Sequence, residues 1–455
     1  MTNGWPANCA SNAAICRCGS VCHDESVTIA ARFATGLSRS ICGIDFGTSN
    51  STCGNFVANR PCLLPLEDGK ATFPSVLFYD FESDLVHFGR AAISEYVSGT
   101  EGRLLRSLKS VLGTALMEAD TEIQSRRVPF RQILATFIGE LKQRAEFAAG
   151  SPLRHAVFGR PVHFIDDDLQ ADQKAQNTLA EIAQAAGFTD LAFLPEPIAA
   201  AFDYEQQVNR EELVLIVDIG GGTSDFSLIR LSPARHHLTD RRDDILANAG
   251  VHLGGTDFDR LLSLREVMPL LGMGGKLRGK SIEVPANYYH LLSTWHTINF
   301  LYERKLRSEL DDVWAEAEDR TAFSRLLRVV DERAGHMLAI SVEAAKIGCC
   351  VEGQGLLQLD MLEAGLDKML SLQQFESAVG DAVSRIANTV AVLCAEAGVT
   401  ADAISTLFVT GGASGVPTLM QAIRSQVPNA TLVEGDRFGS VGTGLALAAH
   451  RLFGS

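Results

Sequence analysis

The stretch that most constrains this chain is Leu213 to Arg230, which reads LVLIVDIGGGTSDFSLIR. Leu213 to Val217 form an unbroken apolar run, the pattern of a buried strand, and the run leads into an acid, Asp218. Gly220, Gly221 and Gly222 then turn the chain, Thr223 and Asp225 follow, and apolar alternation resumes at Phe226 and Leu228. This is the pattern of strand, tight turn, strand. A turn without Cβ atoms lets the backbone approach a ligand closely, with its N–H groups available to an anion. Asp218 and Asp225 flank that turn, and a carboxylate pair beside such a nest suits a metal ion that bridges phosphates.

A second stretch repeats the grammar. Ile41 to Thr52 reads ICGIDFGTSNST: a short apolar run, Asp45, then Gly47, Thr48 and Ser49, and a return strand through Phe56. Two related half-sites separated by roughly a domain length suggest an internal duplication with a ligand held between its halves. Neither copy has the lysine that follows the glycines of a P-loop, and neither is GxGxxG. Facing hairpins, rather than the start of a helix, are expected to grip the phosphates.

With 455 residues the chain exceeds a single hydrophobic core, so two or more domains are expected. Its net charge of −15 argues against a nucleic-acid partner, because little would neutralise backbone phosphates. The basic clusters Arg103 to Lys109 and Arg126 to Arg131 are short. No apolar run reaches the length of a membrane span, so no membrane partner is expected. Cys42, Cys53, Cys62, Cys349, Cys350 and Cys394 lie in apolar or strand-like contexts and read as reduced, buried thiols of a cytoplasmic protein. Cys16, Cys18, Cys22 and His23 have zinc-ligand chemistry, but their spacing matches no common finger. Residues 1–39 therefore read as an extension, expected to be disordered.

Taken in order, Leu104 to Leu112 has helical apolar spacing and carries Lys109, a surface lysine unless it reaches back to the phosphates. Phe130 to Phe147 is an amphipathic helix, His155 to Gly159 a strand, and Asp172 to Ala186 a helix stopped by Gly187. The strand Leu191 to Phe193 leads into Leu194-Pro195-Glu196-Pro197 and an alanine-rich helix. Proline suits the start of a helix, but Glu196 has no such reason to be there, and a strand-end carboxylate can orient water or a hydrated metal. Gly254 and Gly255 form a further turn, with Thr256 or Asp257 capping the helix after it. The region Tyr288 to Ile347 is largely helical and ends with Glu343 and Lys346 on one face. A long helix from Ser371 to Cys394, a strand Ile404 to Val409 and a glycine turn at Gly411 and Gly412 complete the pattern. Strands interleaved with helices, with glycine turns at strand ends, indicate α/β layers with the site at the carboxyl ends.

The set GIDFGTSNS, LPEPIAAAF, IVDIGGGTSDF, LGGTDFDRL and TGGASGVP resembles the nucleotide-binding domain of the seventy-kilodalton heat-shock (DnaK-like) family, within the actin and sugar-kinase superfamily. More closely it resembles the short bacterial chaperone-like branch typified by YegD. The resemblance runs from about residue 40 to the end and implies an actin-like ATPase fold of two lobes, each on a duplicated mixed-sheet core with an inserted smaller subdomain. The expected bounds are 40–212 for lobe I with an insertion at about 69–150, and 213–455 for lobe II with a largely helical insertion at about 262–347. No matching peptide-binding domain is expected before the chain stops at Ser455. The resemblance also implies ATP or ADP with Mg2+ as ligands. Asp45 and Asp218 would lie near the magnesium, and Gly47, Thr48, Ser49, Gly220, Gly221, Gly222 and Thr223 around the phosphates. Lys109, Glu196, Asp225 and Thr223 would be catalytic, with Gly254 and Gly255 also at the nucleotide. Gly411 and Gly412 would lie beside the α-phosphate and ribose, and Glu343 and Lys346 would contact the nucleoside. Family members sandwich adenine between two arginines, where this chain has Ile347 and Gly415. Each lost layer is worth about 0.5–2 kcal/mol, so base selection should weaken while the phosphate machinery stays intact.

The function expected is a Mg-dependent, chaperone-like ATP-binding switch with slow ATPase activity, acting with an unidentified client or co-chaperone. The alternatives are a small-molecule kinase of the same superfamily, a non-catalytic actin-like filament protein, or a scaffold that binds no nucleotide. The first needs an acid poised over a substrate hydroxyl, and no motif beyond Asp225 announces one.

Overall fold

The computed structural model describes residues 40–454 apart from 59, 125, 236–237 and 239–240. The cysteine- and histidine-bearing segment considered for zinc, and the expectation of disorder for 1–39, lie outside the described residues.

Two mixed sheets organise the chain. The first runs, edge to edge, Asp190–Pro195, His155–Arg160, Ile41–Phe46, Asn50–Val57 and Arg60–Leu63, with Phe73–Pro74 also pairing to Asn50–Val57. The second runs Ile245–Val251, Ser224–Leu231, Glu212–Ile219, Thr406–Thr410 and Thr431–Glu434. In each, the first strand of the sheet is antiparallel to its hairpin partner and parallel to a strand much later in the chain. Val214–Ile219 is buried throughout, as an apolar run covered on both faces should be. The hairpin register sets Asp218 directly across from Asp225, and Asp45 across from Thr52.

The helices Glu196–Glu205 and Ser440–Phe453 join the sheets through a shared core of Ile198, Phe202, Val214, Ile216, Phe408 and Leu445. Their contact depends on a missing side chain. A Cβ on Gly444 would lie 1.7 Å from the Ala199 carbonyl oxygen, so the two helices cross at backbone distance. A small three-stranded sheet (Val86–Phe88, Val76–Asp80, Gly102–Arg106) adds to these layers, and the helices Arg304–Glu316, Arg320–Asp331 and Gly335–Glu352 pack into the core of the second sheet through Leu310, Phe323 and Val342.

The helix Leu372–Ala397 is long and apolar enough to cross a membrane by length and composition alone. Its buried face, from Phe375 through Val379, Val383 and Ile386 to Leu393, instead belongs to the core of the second sheet. Two expectations fail: Cys62 and Cys350 are half-buried rather than buried, and one expected helix does not form. Leu104 to Leu112 is not a helix: it continues the strand Gly102–Arg106, turns at Ser107 with φ 62°, and finishes as the 3₁₀ turn Leu108–Val111. The leucine spacing mimics a helical stripe because Leu105 on the strand and Leu108 and Leu112 around the turn bury in one core, while Leu104 faces a separate small cluster.

Candidate functional site

The cleft at the strand ends has a volume of about 420 Å³ and draws its lining from both sheets. Asp45, Gly47, Thr48 and Ser49 enter it from the first hairpin, and Asp218, Gly220, Gly221 and Thr223 from the second. The two bends touch, since a Cβ on Gly221 would sit 2.4 Å from the Ser49 hydroxyl. Ser75 holds the first bend by donating to the Gly47 carbonyl at 2.7 Å. Thr256 holds the second, its N–H and its hydroxyl both donating to the Gly221 carbonyl at 2.7 Å. These ties brace both bends from within the protein.

Lys109 is buried, not a surface lysine, and its ammonium pairs directly with Glu196. The 3₁₀ turn delivers it from below, and the break between Pro195 and the helix Glu196–Glu205 delivers its partner. Asp45, Asp218 and Asp225 complete a group of four acids that interact with this one cation. Burial disfavours the lysine charge, but Glu196 and Asp45 outweigh it, and the Lys109 pKa is raised. For the acids the balance is reversed. Burial and then Glu196 push Asp45 and Asp225 up to about 7, and the same causes hold Asp218 well above the carboxylate range. Such an excess of buried acid fits a polycation or a metal ion better than it fits empty solvent. Among the described residues, no group of three or more His, Cys, Asp or Glu side chains is arranged as a direct ligand set.

The other expected residues divide. Gly255, Gly411, Gly412, Glu343 and Lys346 line the same cleft. Gly222 and Gly254 lie behind it, backing onto Thr48 and Gly221 respectively. Asp225 is also recessed, with one carboxylate oxygen accepting the Val162 N–H at 2.6 Å. Gly254 caps the helix Gly255–Glu266, and its N–H donates to the Asp257 carboxylate, so of the two capping candidates it is Asp257 that acts.

Glu343 and Lys346 are already engaged by protein groups. Arg106 binds Glu343 through both guanidinium nitrogens, at 2.7 and 2.8 Å, joining the strand Gly102–Arg106 to the helix Gly335–Glu352. Burial pushes Glu343 up, yet Arg106 outweighs it and leaves the carboxyl below its ordinary range. Lys346 reaches Asp259 at 2.7 Å and the Gly255 carbonyl at 3.1 Å. Burial raises Asp259 to about 6 against the pull of Lys346. Arg106, Asp259, Arg437 and Phe438 line the cleft but carried no assignment from the sequence. Asp259 was detectable, lying four residues after Gly255 on the same helical face. The other three come from a strand end and an irregular turn, where spacing carries no signal.

Layers of mixed sheet and helix around such a cleft are consistent with an actin/HSP70-type ATPase fold. Residues 117–265 match the family model described as Hsp70 protein. The chain is 26% identical over 411 residues to chaperone protein dnaK1 of Prochlorococcus marinus, covering 85% of this chain and 53% of that one. It is likewise 26% identical over 399 residues to chaperone protein DnaK of Mycoplasmoides gallisepticum, covering 86% and 56%. The chain thus spans about half the length of the curated relatives it matches. The similarity relates it to the HSP70/DnaK chaperone family at moderate identity, and none of it singles out the YegD-like branch.

Proposed function

We propose that this chain is a magnesium-dependent ATP-binding protein that hydrolyses ATP slowly and uses the bound nucleotide as a conformational switch in a chaperone-like role. The observation that carries the reading is the meeting of the two acid-and-glycine bends across one cleft, with Lys109 among four acids. The matching strand orders of the two sheets support two lobes descended from a duplication, and the YegD-like branch, the subdomain bounds and a cytoplasmic setting belong to the same proposal.

In this reading the backbone of Gly47 to Ser49 and Gly220 to Thr223 cradles the phosphates. Magnesium, when bound, neutralises phosphate oxygens while keeping much of its own water. Asp45 and Asp218, both lining the cleft, are the residues that would hold the ion. Lys109 supplies a fixed positive charge, and Glu196 keeps it in place. Asp225, recessed across the hairpin from Asp218, would help orient the attacking water. Lobe closure on ATP and loosening on ADP would pass the state of the site to a client or co-chaperone.

The test is steady-state phosphate release by wild type, Asp218→Ala and Glu196→Ala with magnesium present. We expect slow turnover in the wild type and a loss of at least about tenfold in each variant. Equal turnover in all three removes the assignment.

A further inference from the structure

The cleft is acidic at its phosphate end, yet other parts of its lining are apolar and exposed. Ile347, Cys350 and Val351 enter it from the helix Gly335–Glu352, and Arg437 and Phe438 from the turn after the strand Thr431–Glu434. Ile347, Val351 and Phe438 are 53%, 77% and 47% exposed, a cost in apolar surface that a ligand would remove. Arg437 enters no ion pair among the described residues.

Two glycines make room for this turn. A Cβ on Gly412 would lie 3.1 Å from the Phe438 ring, and one on Gly415 would lie 2.9 Å from the Arg437 guanidinium. The ring and the guanidinium therefore lie directly on the 411–415 turn. Their positions are fixed locally: the Thr410 hydroxyl donates to the Asp436 carbonyl at 2.9 Å, and the Phe438 N–H donates to the Asp436 carboxylate at 3.0 Å. An aromatic ring and an unpaired guanidinium held at a cleft are the two side-chain types that stack on a nucleobase.

Resting on the nucleotide reading above, we infer that Phe438 and Arg437 form the base-binding wall of this cleft, with Ile347 and Val351 supplying the other apolar surface. The ligand class is a purine nucleotide recognised by its flat face. The charged groups that would otherwise read base edges are committed elsewhere, Glu343 to Arg106 and Lys346 to Asp259. Discrimination that depends on edge hydrogen bonds is therefore weak. The arginine lost at Gly415 is replaced in space by one that arrives from a separate turn.

The experiment is calorimetric titration of the full chain with ADP, GDP and inorganic tripolyphosphate, a phosphate chain without a base, in the presence of magnesium. Phe438→Ala is expected to weaken ADP about tenfold, and Arg437→Ala about threefold to tenfold, with tripolyphosphate affinity unchanged. Phe438→Trp should restore ADP binding, and wild type should bind ADP and GDP within about tenfold of each other. ADP binding that is unaffected in both alanine variants, or that falls in step with tripolyphosphate, overturns this inference alone. A preference for ADP over GDP beyond about a hundredfold overturns the reading by stacking. A wild type that binds neither ADP nor tripolyphosphate removes the nucleotide reading itself, and this inference with it.

Discussion

Asp225→Asn isolates the electrostatic strain of the cleft. Asp225 is 1% exposed, sits across the hairpin from Asp218, and faces Glu196. Burial and then Glu196 raise its carboxyl from 3.8 to about 7 on folding. Below about pH 4 both folded and unfolded states hold the proton, and the site costs nothing. Between pH 4 and 7 the unfolded chain releases a proton that the folded one keeps, so stability falls as pH rises. Above about pH 8 the penalty is complete, with a ceiling of roughly 4 kcal/mol, about 2.5 of it accrued between pH 5 and 8. Relaxation and water entry should halve that, so asparagine's advantage over aspartate widens by about 1–2 kcal/mol across this interval. Asparagine can still accept the Val162 N–H, so the backbone contact survives. Urea unfolding of ligand-free protein with chelator, at pH 5 and pH 8, reads the difference. The variant's midpoint should exceed the wild type's at pH 8, and the gap should narrow at pH 5. A pH-independent gap, or a variant less stable at pH 8, refutes the argument.

Lys109→Met leaves Glu196 buried without its cation and should destabilise by about 3–5 kcal/mol; Lys109→Met with Glu196→Gln should recover much of that in the same urea assay. Removing the bidentate bond with Glu343→Gln should cost about 1–3 kcal/mol, and a double-mutant cycle with Arg106→Met should return a coupling of similar size, whereas additive effects would show an idle pair. Gly444→Ala drives a methyl into the Ala199 backbone and should cost about 1–3 kcal/mol or more, seen as a lowered thermal midpoint, while Ala448→Gly on the same helix should cost only about 1 kcal/mol.

Both hairpins were legible because each combines an unbroken apolar run, an acid and a glycine turn, features that act within a few residues. Glu196 was legible for a similar reason, as an acid where a helix start needs none. Lys109 was placed by family resemblance, while the leucines around it suggested a helix that does not form. Residue spacing cannot distinguish one helical face from a strand and a turn whose leucines meet in one core. Arg106, Arg437 and Phe438 left no pattern, since irregular turns and strand ends have no period to read.

The sequence by itself determined where the chain bends and which acids accompany the bends, because turn chemistry and apolar runs are local. Only the tertiary structure decided that the bends oppose each other, that Lys109 is buried against Glu196, and that Glu343 belongs to Arg106. Those facts rest on approach between segments as much as 237 residues apart, made possible by the side chains that are absent as well as those present. Long-range packing of that kind is set by the shape of the whole core, and no short window of residues encodes it.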